Sequence, residues 1–240
     1  MLPPSQSDTG AGTPAGPART KKARETRARI VDAALELLLE QGYEKATMRA
    51  IAERAGVAPS NAYYYFASKE ELVQAFYART HEEHLEQALP AIGQERTFKA
   101  RLLAAMRTKL ATIEPYHEFA GVLFKTAADP KSPLNPFSEA SRPVRDEARG
   151  VFEEVVSGSR MKLPADLQKK LPELLWLWHM GIVLFWIYDD SPDRQRTQRL
   201  VERTTDLIVK LVSLSSLKLL SPLRRSALRL LSELQAEATP

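Results

Sequence analysis

The chain has 240 residues, of which 44% are hydrophobic and 27% charged, and none is cysteine. The lack of cysteine excludes disulfide scaffolds, cysteine-ligated metal sites and thiol catalysis within this sequence. The composition indicates a globular protein with one large domain, or a small domain joined to a larger one. The longest nearly uninterrupted apolar run, residues 174–188, is shorter than the roughly 20 residues of a membrane-spanning helix. With Pro3 and Pro4 where a secretory signal would begin, we expect a cytoplasmic protein that does not bind a membrane.

Positive charge is concentrated near the amino terminus. Residues 19–69 hold ten Lys and Arg against six Asp and Glu, a surplus that equals the whole net charge of +4. Lys21, Lys22 and Arg24 belong to a basic arm that leads into the first predicted helix. Such a field suits a phosphate backbone. The alternative is a solvated helix face that follows a flexible tail.

The first elements are a tail and two helices. Residues 1–18, rich in Pro, Gly, Ser and Thr, predict a disordered tail. Helical periodicity predicts a first helix from Lys22 to Gln41, with Gly42 as its left-handed stop. Thr47 then predicts the N-cap of a short second helix.

A third short helix is predicted from Pro59, a first-turn residue, through Tyr65. Ser68 starts a capping box and a longer helix, which we expect to stop before Pro90. Further helices are predicted at residues 95–113, 116–128, 138–157, 165–188, 193–219 and 223–236. No strand pattern, repeat or phosphate-binding loop interrupts this series, so the sequence predicts an all-α fold.

The second and third helices, separated by a glycine turn, have the dimensions of a helix-turn-helix. Ser60 and Asn61 in the first turn of the third helix suit base edges in a DNA major groove. Tyr63, Tyr64 and Tyr65 are about 100° apart on that helix, so one core face cannot bury all three rings, and their hydroxyls suit phosphates. The alternative is a small helical subdomain with aromatic packing, but the adjacent basic arm favours DNA binding.

The stretch RARIVDAALELLLEQGYEKATMRAIAERAGVAPSNAYYYFASKEEL resembles the DNA-binding domain of the TetR (tetracycline-repressor-like) transcriptional regulators. The resemblance rests on Gly42-Tyr43, Thr47, Ile51-Ala52, Ala55-Gly56-Val57, residues 63–66 and Ser68-Lys69-Glu70. It covers about 50 of the 240 residues. The rest of the chain matches the family only in length and helical character.

This resemblance implies a three-helix DNA-binding domain at residues 19–68 and a larger helical domain for effector binding and dimerisation at residues 69–240. It implies phosphate contacts by Thr47 and Lys69 from helix amino termini. Family members commonly have Gly-Thr-Leu where this chain has residues 60–62, so no operator sequence is implied. The expected DNA-binding residues are Lys21, Lys22, Arg24, Thr47, Arg49, Pro59, Ser60, Asn61, Tyr63, Tyr64, Tyr65 and Lys69.

Histidines mark two other regions. His81 and His84 have a spacing that can place two metal ligands on one helix face, but no third ligand is evident, so we interpret them as surface residues. We expect no metal and no cofactor. His179, in an aromatic-rich helix, is either a ligand-orienting group in an apolar pocket or a hydrogen-bonded core or interface histidine. The candidate effector-binding residues are Tyr116, His117, Trp176, His179 and Met180.

Leu207, Leu211 and Leu214 form an aliphatic stripe typical of a self-packing seam, and in the resembled family the last long helices form a four-helix dimer interface. The sequence therefore predicts a homodimeric, non-enzymatic regulator that binds double-stranded DNA at a palindromic operator. We expect a repressor that a small apolar effector releases. The alternatives are a ligand-independent regulator or activator of the same fold, or a helical enzyme that uses His117 or His179.

Overall fold

The computed structural model describes residues 17–215, 221–222, 225–226, 229 and 233. Within these residues the structure is helical and has no strand, which confirms the predicted all-α class. Residues 1–16 of the predicted tail, the last residues of the helix predicted at 193–219 and most of the helix predicted at 223–236 lie outside the described residues.

Helical segments follow one another along the described chain. They are α1 (Pro17–Gln41), α2 (Met48–Arg54), α3 (Pro59–Tyr65), α4 (Lys69–Gln94), α5 (Phe98–Ile113), α6 (His117–Ala127), α7 (Arg142–Ser157), α8 (Ala165–Ile187) and α9 (Gln195–Ser215), with 3₁₀ turns at Glu114–Tyr116 and Pro192–Arg194.

The amino-terminal helices have the predicted caps. Helix α1 begins at Pro17, inside the segment expected to be a tail, because proline is well accommodated in a first helical turn. Gly42 follows the helix in the left-handed region, with φ of 79°. The Thr47 hydroxyl accepts a hydrogen bond from the Ala50 amide at 3.2 Å, which caps α2 as expected.

Helix α4 is longer than predicted, because Pro90 lies inside it rather than at its end. An interior proline removes a backbone hydrogen bond and costs about 3 kcal/mol. Beyond the proline, however, Ile92 is buried in the core, as is Ala88 before it, and this packing stabilises the helix through Gln94. The next helix therefore starts later than residue 95, at Phe98.

Two hydrophobic clusters organise the molecule. The first joins the inner faces of α1, α2 and α3 to Leu72 and Phe76 of α4 and to Phe119 and Leu123 of α6. The second joins the carboxyl-terminal half of α4 to α5, α7, α8 and α9. The amino-terminal core thus continues past residue 69 into α4 and α6, which connects the helix-turn-helix mechanically to the rest of the chain.

A buried arginine joins two helix ends. The Arg101 guanidinium donates hydrogen bonds to the carbonyls of Ile92 and Glu95 at the end of α4 and to those of Glu154 and Val155 at the end of α7. Carbonyls at helix carboxyl termini lack intrahelical partners and carry partial negative charge. Arg101 therefore supplies buried hydrogen-bond donors to the carbonyls at the carboxyl-terminal ends of both α4 and α7.

Among the described residues, one helix is long and apolar enough by length and composition to cross a membrane, namely α8. Several of its large side chains, including Leu175, Trp176 and Trp186, are buried within the protein. Leu177 and Leu184 of the same helix are exposed.

Candidate functional site

The first turn of α3 projects its polar side chains into solvent. Pro59, Ser60 and Asn61 are exposed, whereas Ala62 and Phe66 are buried in the amino-terminal core. Pro59 is at the first position of the helix and needs no backbone donor there. The arrangement leaves the Ser60 hydroxyl and the Asn61 amide exposed side by side at the start of the helix.

The three tyrosines divide between solvent and core. Tyr63 and Tyr64 are 55% and 80% exposed, whereas Tyr65 is half-buried and packs against the amino-terminal cluster. The ring of Tyr65 meets that of Tyr64 edge to face, with centroids 5.2 Å apart. This confirms that the core takes only part of the triplet.

Lys69 is engaged within the protein. Its ammonium donates a hydrogen bond to the Tyr43 carbonyl at 2.7 Å and lies 4.4 Å from the centroid of the Tyr43 ring. The Tyr43 hydroxyl in turn donates to Glu70 at 2.5 Å, and burial together with this carboxylate raises the pKa of Tyr43. Lys69 therefore stabilises the turn between α1 and α2. Because an ammonium has three N–H donors, those not bonded to Tyr43 can still contact a phosphate.

The other predicted phosphate contacts are exposed. Thr47 and Arg49 lie on the surface at the start of α2. Lys21, Lys22 and Arg24 are exposed within α1 itself, so the basic arm is part of a helix. The Lys21 ammonium lies 4.0 Å from the Glu25 carboxylate, an exposed pair of little energetic weight.

Between α4, α5, α6, α7 and α8 lies a cavity of about 240 Å³. Four of the five predicted effector residues line it, namely Tyr116, Trp176, His179 and Met180. The aromatic rings of Phe76 and Phe119, which belong to the amino-terminal cluster, form part of the same wall. The cavity and the helix-turn-helix core thus share side chains.

His117 is not among the residues that line this cavity. Its Nε2–H donates to the Trp186 carbonyl at 2.8 Å, and its Nδ1 accepts from the Arg194 guanidinium at 3.1 Å. Both ring nitrogens are therefore used to fasten the start of α6 to the end of α8.

The other three histidines are buried. The prediction that His81 and His84 lie on the surface is wrong, because their exposed fractions are 2% and 5%. Nε2–H of His84 donates to the Ala105 carbonyl at 3.2 Å, whereas neither ring nitrogen of His179 has a hydrogen-bond partner in the described structure. His179 is thus not the hydrogen-bonded core histidine that was the alternative.

Burial determines the charge of these histidines. Desolvation, aided by the positive charge of Lys109, lowers the pKa of His81 to about 4 and that of His84 to about 3. The same causes hold the pKa of His179 well below 6.5. All three are neutral at pH 7, so Glu147, whose carboxylate is 3.7 Å from His81 Nε2, does not form an ion pair with it. The described residues contain no group of three side chains suited to hold a metal.

Sequence reasoning missed Lys109, which also lines the cavity. Burial lowers the pKa of its ammonium to about 8. A signal was present, because Lys109 continues the buried stripe of Leu102, Ala105 and Met106 at helical spacing. A lysine at helical spacing on an otherwise apolar face is predicted to pack towards the protein interior.

The predicted dimer leucines lie on the outside of the described chain. Leu207, Leu211 and Leu214 of α9 are 54%, 55% and 49% exposed. Leu177 and Leu184 of the neighbouring α8 are also exposed. We call these five exposed leucines, which lie on two helices that pack against each other, the α8/α9 face.

Comparisons with known proteins identify the family. Residues 101–226 match the family model described as "Tetracyclin repressor-like, C-terminal domain". Residues 30–76 match the model described as "Bacterial regulatory proteins, tetR family". The chain belongs to the TetR family. The predicted family assignment is thereby confirmed, and it now extends well beyond the helix-turn-helix.

Curated transcriptional regulators match about a third of the chain. An uncharacterized HTH-type transcriptional regulator, TtgW of Pseudomonas putida, is 42% identical over 86 residues, which are 35% of this chain and 63% of the relative. SrpR of the same species is also 42% identical over 86 residues, which cover 35% of this chain and 40% of SrpR. The chain thus matches less than two thirds of the length of each.

Solved structures of transcriptional regulators match about three quarters of the chain. A regulator from Nitrosomonas europaea has a TM-score of 0.59 at 20% identity, covering 76% of this chain and 97% of that protein. FadR from Bacillus subtilis, solved in complex with stearoyl-CoA, has a TM-score of 0.60 at 18% identity, covering 74% and 96%. At these identities the similarity establishes the shared fold.

Proposed function

We propose that this TetR-family protein is a homodimeric transcriptional repressor that acts in the cytoplasm and leaves a palindromic operator when a small apolar effector binds. The observation that carries the proposal is the exposed first turn of α3 on a buried helix-turn-helix core. Asn61 would read a base edge, Ser60 and Pro59 would lie against the bases, and Tyr63 and Tyr64 would contact phosphates.

Because the cavity and the amino-terminal core share side chains, effector binding in the cavity can change the position of the DNA-binding helices. Phe76 of α4 packs edge to face on Tyr116 and Phe119, with centroid distances of 4.9 Å and 5.1 Å. An effector that displaces these rings would move α4 and α6 against α1. In a dimer, that movement changes the distance between the recognition helices from the roughly 34 to 36 Å that successive major grooves require.

The α8/α9 face supports the dimer. Leu207, Leu211 and Leu214 follow helical spacing on one side of α9, and α8 packs beside it. A second copy of this face would complete a four-helix interface and would match the two-fold symmetry of a palindrome.

Affinity selection of random duplex DNA by the full chain, followed by sequencing, tests the proposal. We expect an enriched inverted repeat whose half-sites are centred about one helical turn, or a multiple of it, apart. A reporter placed behind that sequence then distinguishes repression from activation. Recovery of no common sequence would contradict the proposed function.

His117 and His179 are the two histidines that a helical enzyme of this sequence would use. His117 has both ring nitrogens engaged in hydrogen bonds, so it is not available as a general base. His179 lines an apolar chamber next to a lysine. We therefore propose that the cavity binds its ligand without converting it, and we expect bound ligand to be recovered unchanged.

A further inference from the structure

The effector cavity combines an apolar chamber with a cluster of nitrogen donors. His81, His179 and Lys109 all line the chamber, and all three also border a smaller void of about 10 Å³ beside His84 and Phe152. They are therefore close together at one side of the cavity. Most of the remaining wall is aromatic or aliphatic.

The charge of this wall is one-sided. Among the described lining residues are two cations, Lys109 and Arg145, and no Asp or Glu. The Arg145 guanidinium donates to the carbonyls of Pro136 and Ser138 at 2.8 Å and 3.0 Å. Lys109, in contrast, has no hydrogen bond and no salt bridge with any residue that the structure describes. Lys109 is half-buried, and a cation partly withdrawn from water without a partner carries a desolvation cost that a ligand anion would reduce.

The neighbouring imidazoles favour the same ligand chemistry. His179 is 7% exposed, and both its ring nitrogens lack hydrogen-bond partners among the described residues, as does Nε2 of His81, which lies 3.7 Å from the exposed Glu147 carboxylate. A neutral imidazole supplies one N–H donor and an ammonium supplies three. This cluster therefore offers an excess of donors to whatever occupies the chamber.

We propose that the effector is an amphipathic organic acid whose carboxylate pairs with Lys109 and accepts hydrogen bonds from His81 or His179, while its apolar body fills the aromatic chamber. One unpaired ammonium balances one negative charge, which favours a carboxylate over a doubly charged phosphate ester. The inference rests on the proposed function, because it specifies the ligand class of the same cavity.

Matched pairs of acid and alcohol test the assignment. The probes are decanoate with decanol and phenylbutyrate with phenylbutanol, titrated into the full chain. Trp176 and Trp186, two of the three tryptophans, line the cavity, so intrinsic fluorescence reports binding. At least one acid is expected to bind about 10-fold or more tightly than its alcohol, as a charge-assisted hydrogen bond allows.

Variants locate the preference. Lys109→Met should lose the preference for the acid while alcohol affinity stays within about two-fold, and Lys109→Arg should keep it. Lys99→Met is the matched control, because Lys99 lies on the outer side of α5 and pairs with Asp206 at 2.6 Å. This control should bind like the unaltered protein.

Equal or tighter binding of both alcohols, binding of no probe, or a preference that survives in Lys109→Met would overturn the acid assignment. The comparison in the unaltered protein stands even if a variant fails to fold. The DNA selection described above does not depend on these titrations. An enriched operator without acid preference rejects only the ligand class, whereas failure to select DNA rejects the proposed function.

Discussion

Lys69 and Arg101 both donate hydrogen bonds to backbone carbonyls of other segments of the chain. Lys69 was expected to contact phosphate, and the structure also bonds it to the Tyr43 carbonyl. Arg101, buried at 6% exposure, was not singled out at all. The Tyr43 carbonyl is 26 residues from Lys69, and the Glu154 and Val155 carbonyls are 53 and 54 residues from Arg101, so no local pattern encodes these contacts.

The two roles of Lys69 can be separated. Lys69→Met should lower the thermal stability of the protein and also reduce the salt dependence of DNA binding by about one counterion, if its spare donors contact a phosphate. Lys45→Met, which removes an exposed lysine nearby, is the control for net charge. Binding measured by fluorescence anisotropy over a range of salt concentrations decides the point, and an unchanged slope for Lys69→Met would leave only the bracing role.

Arg101 should be among the residues to which stability is most sensitive. Arg101→Ala leaves the carbonyls at the ends of α4 and α7 without their buried donor, and we expect a loss of about 3 kcal/mol or more in the free energy of unfolding. Chemical denaturation with DNA binding as a second readout measures it. A loss below about 1 kcal/mol would show that water replaces the guanidinium.

Gly158 provides an independent check on Arg101. A Cβ at Gly158 would lie 2.0 Å from Arg101 Nη2, so Gly158→Ala must displace the guanidinium. We therefore expect destabilisation, whereas alanine at Gly150, where a Cβ would have nothing within 4 Å, should be neutral or stabilising. Equal melting temperatures for the two variants would contradict the account.

At the scale of helices, the spacing of apolar residues predicted most helix positions. The features that it did not predict depend on contacts between helices. The limits of α3 follow from Pro59 and its apolar spacing. The continuation of α4 through Pro90 does not, because it depends on the packing of Ile92 in the second cluster. The burial of His81 and His84 likewise requires α5 beside them, and their spacing alone fits either a surface or a buried face.

The buried histidines predict acid sensitivity. Folding lowers the pKa values of His81 and His84, so below about pH 6.5 the unfolded chain binds more protons than the folded one. Stability is therefore lost as pH falls from about 6.5 towards 4, by up to about 1.4 kcal/mol per pH unit for each histidine. His84→Gln should flatten this dependence in denaturant titrations across that range, and a profile parallel to that of the unaltered protein would exclude His84 as a cause.

The α8/α9 face predicts the oligomeric state. Leu211→Glu would place a charge in the seam between subunits, so we expect a monomer that retains helical content but binds the selected operator weakly, since each half-site is then held alone. Ser213→Glu, at an exposed position roughly 120° around α9 from the leucine stripe, should remain dimeric. Sedimentation velocity measures both masses, and a dimeric Leu211→Glu protein would move the interface elsewhere.

For the molecule as a whole, the sequence was most informative where a local motif carries the function and least where distant elements meet. The residues of α3 and the leucine stripe could be named in advance because helical spacing alone assigns their faces. Four of the five predicted effector residues line the cavity, whereas His117 lies outside its wall and hydrogen-bonds to Trp186 and Arg194, and Lys109, which does line it, was not predicted. Assigning a cavity wall requires the packing of five helices, which no single stretch of sequence contains.

The most direct test of the account is the ratio of affinities for the selected operator and for a shuffled duplex of equal length, measured at one salt concentration. For the unaltered protein we predict a ratio of about 1,000 or more. Asn61→Ala should lower operator affinity by about 1 to 3 kcal/mol while changing affinity for the shuffled duplex little. A ratio near one for the unaltered protein, or equal losses on both duplexes for Asn61→Ala, would contradict the claim that α3 reads DNA sequence.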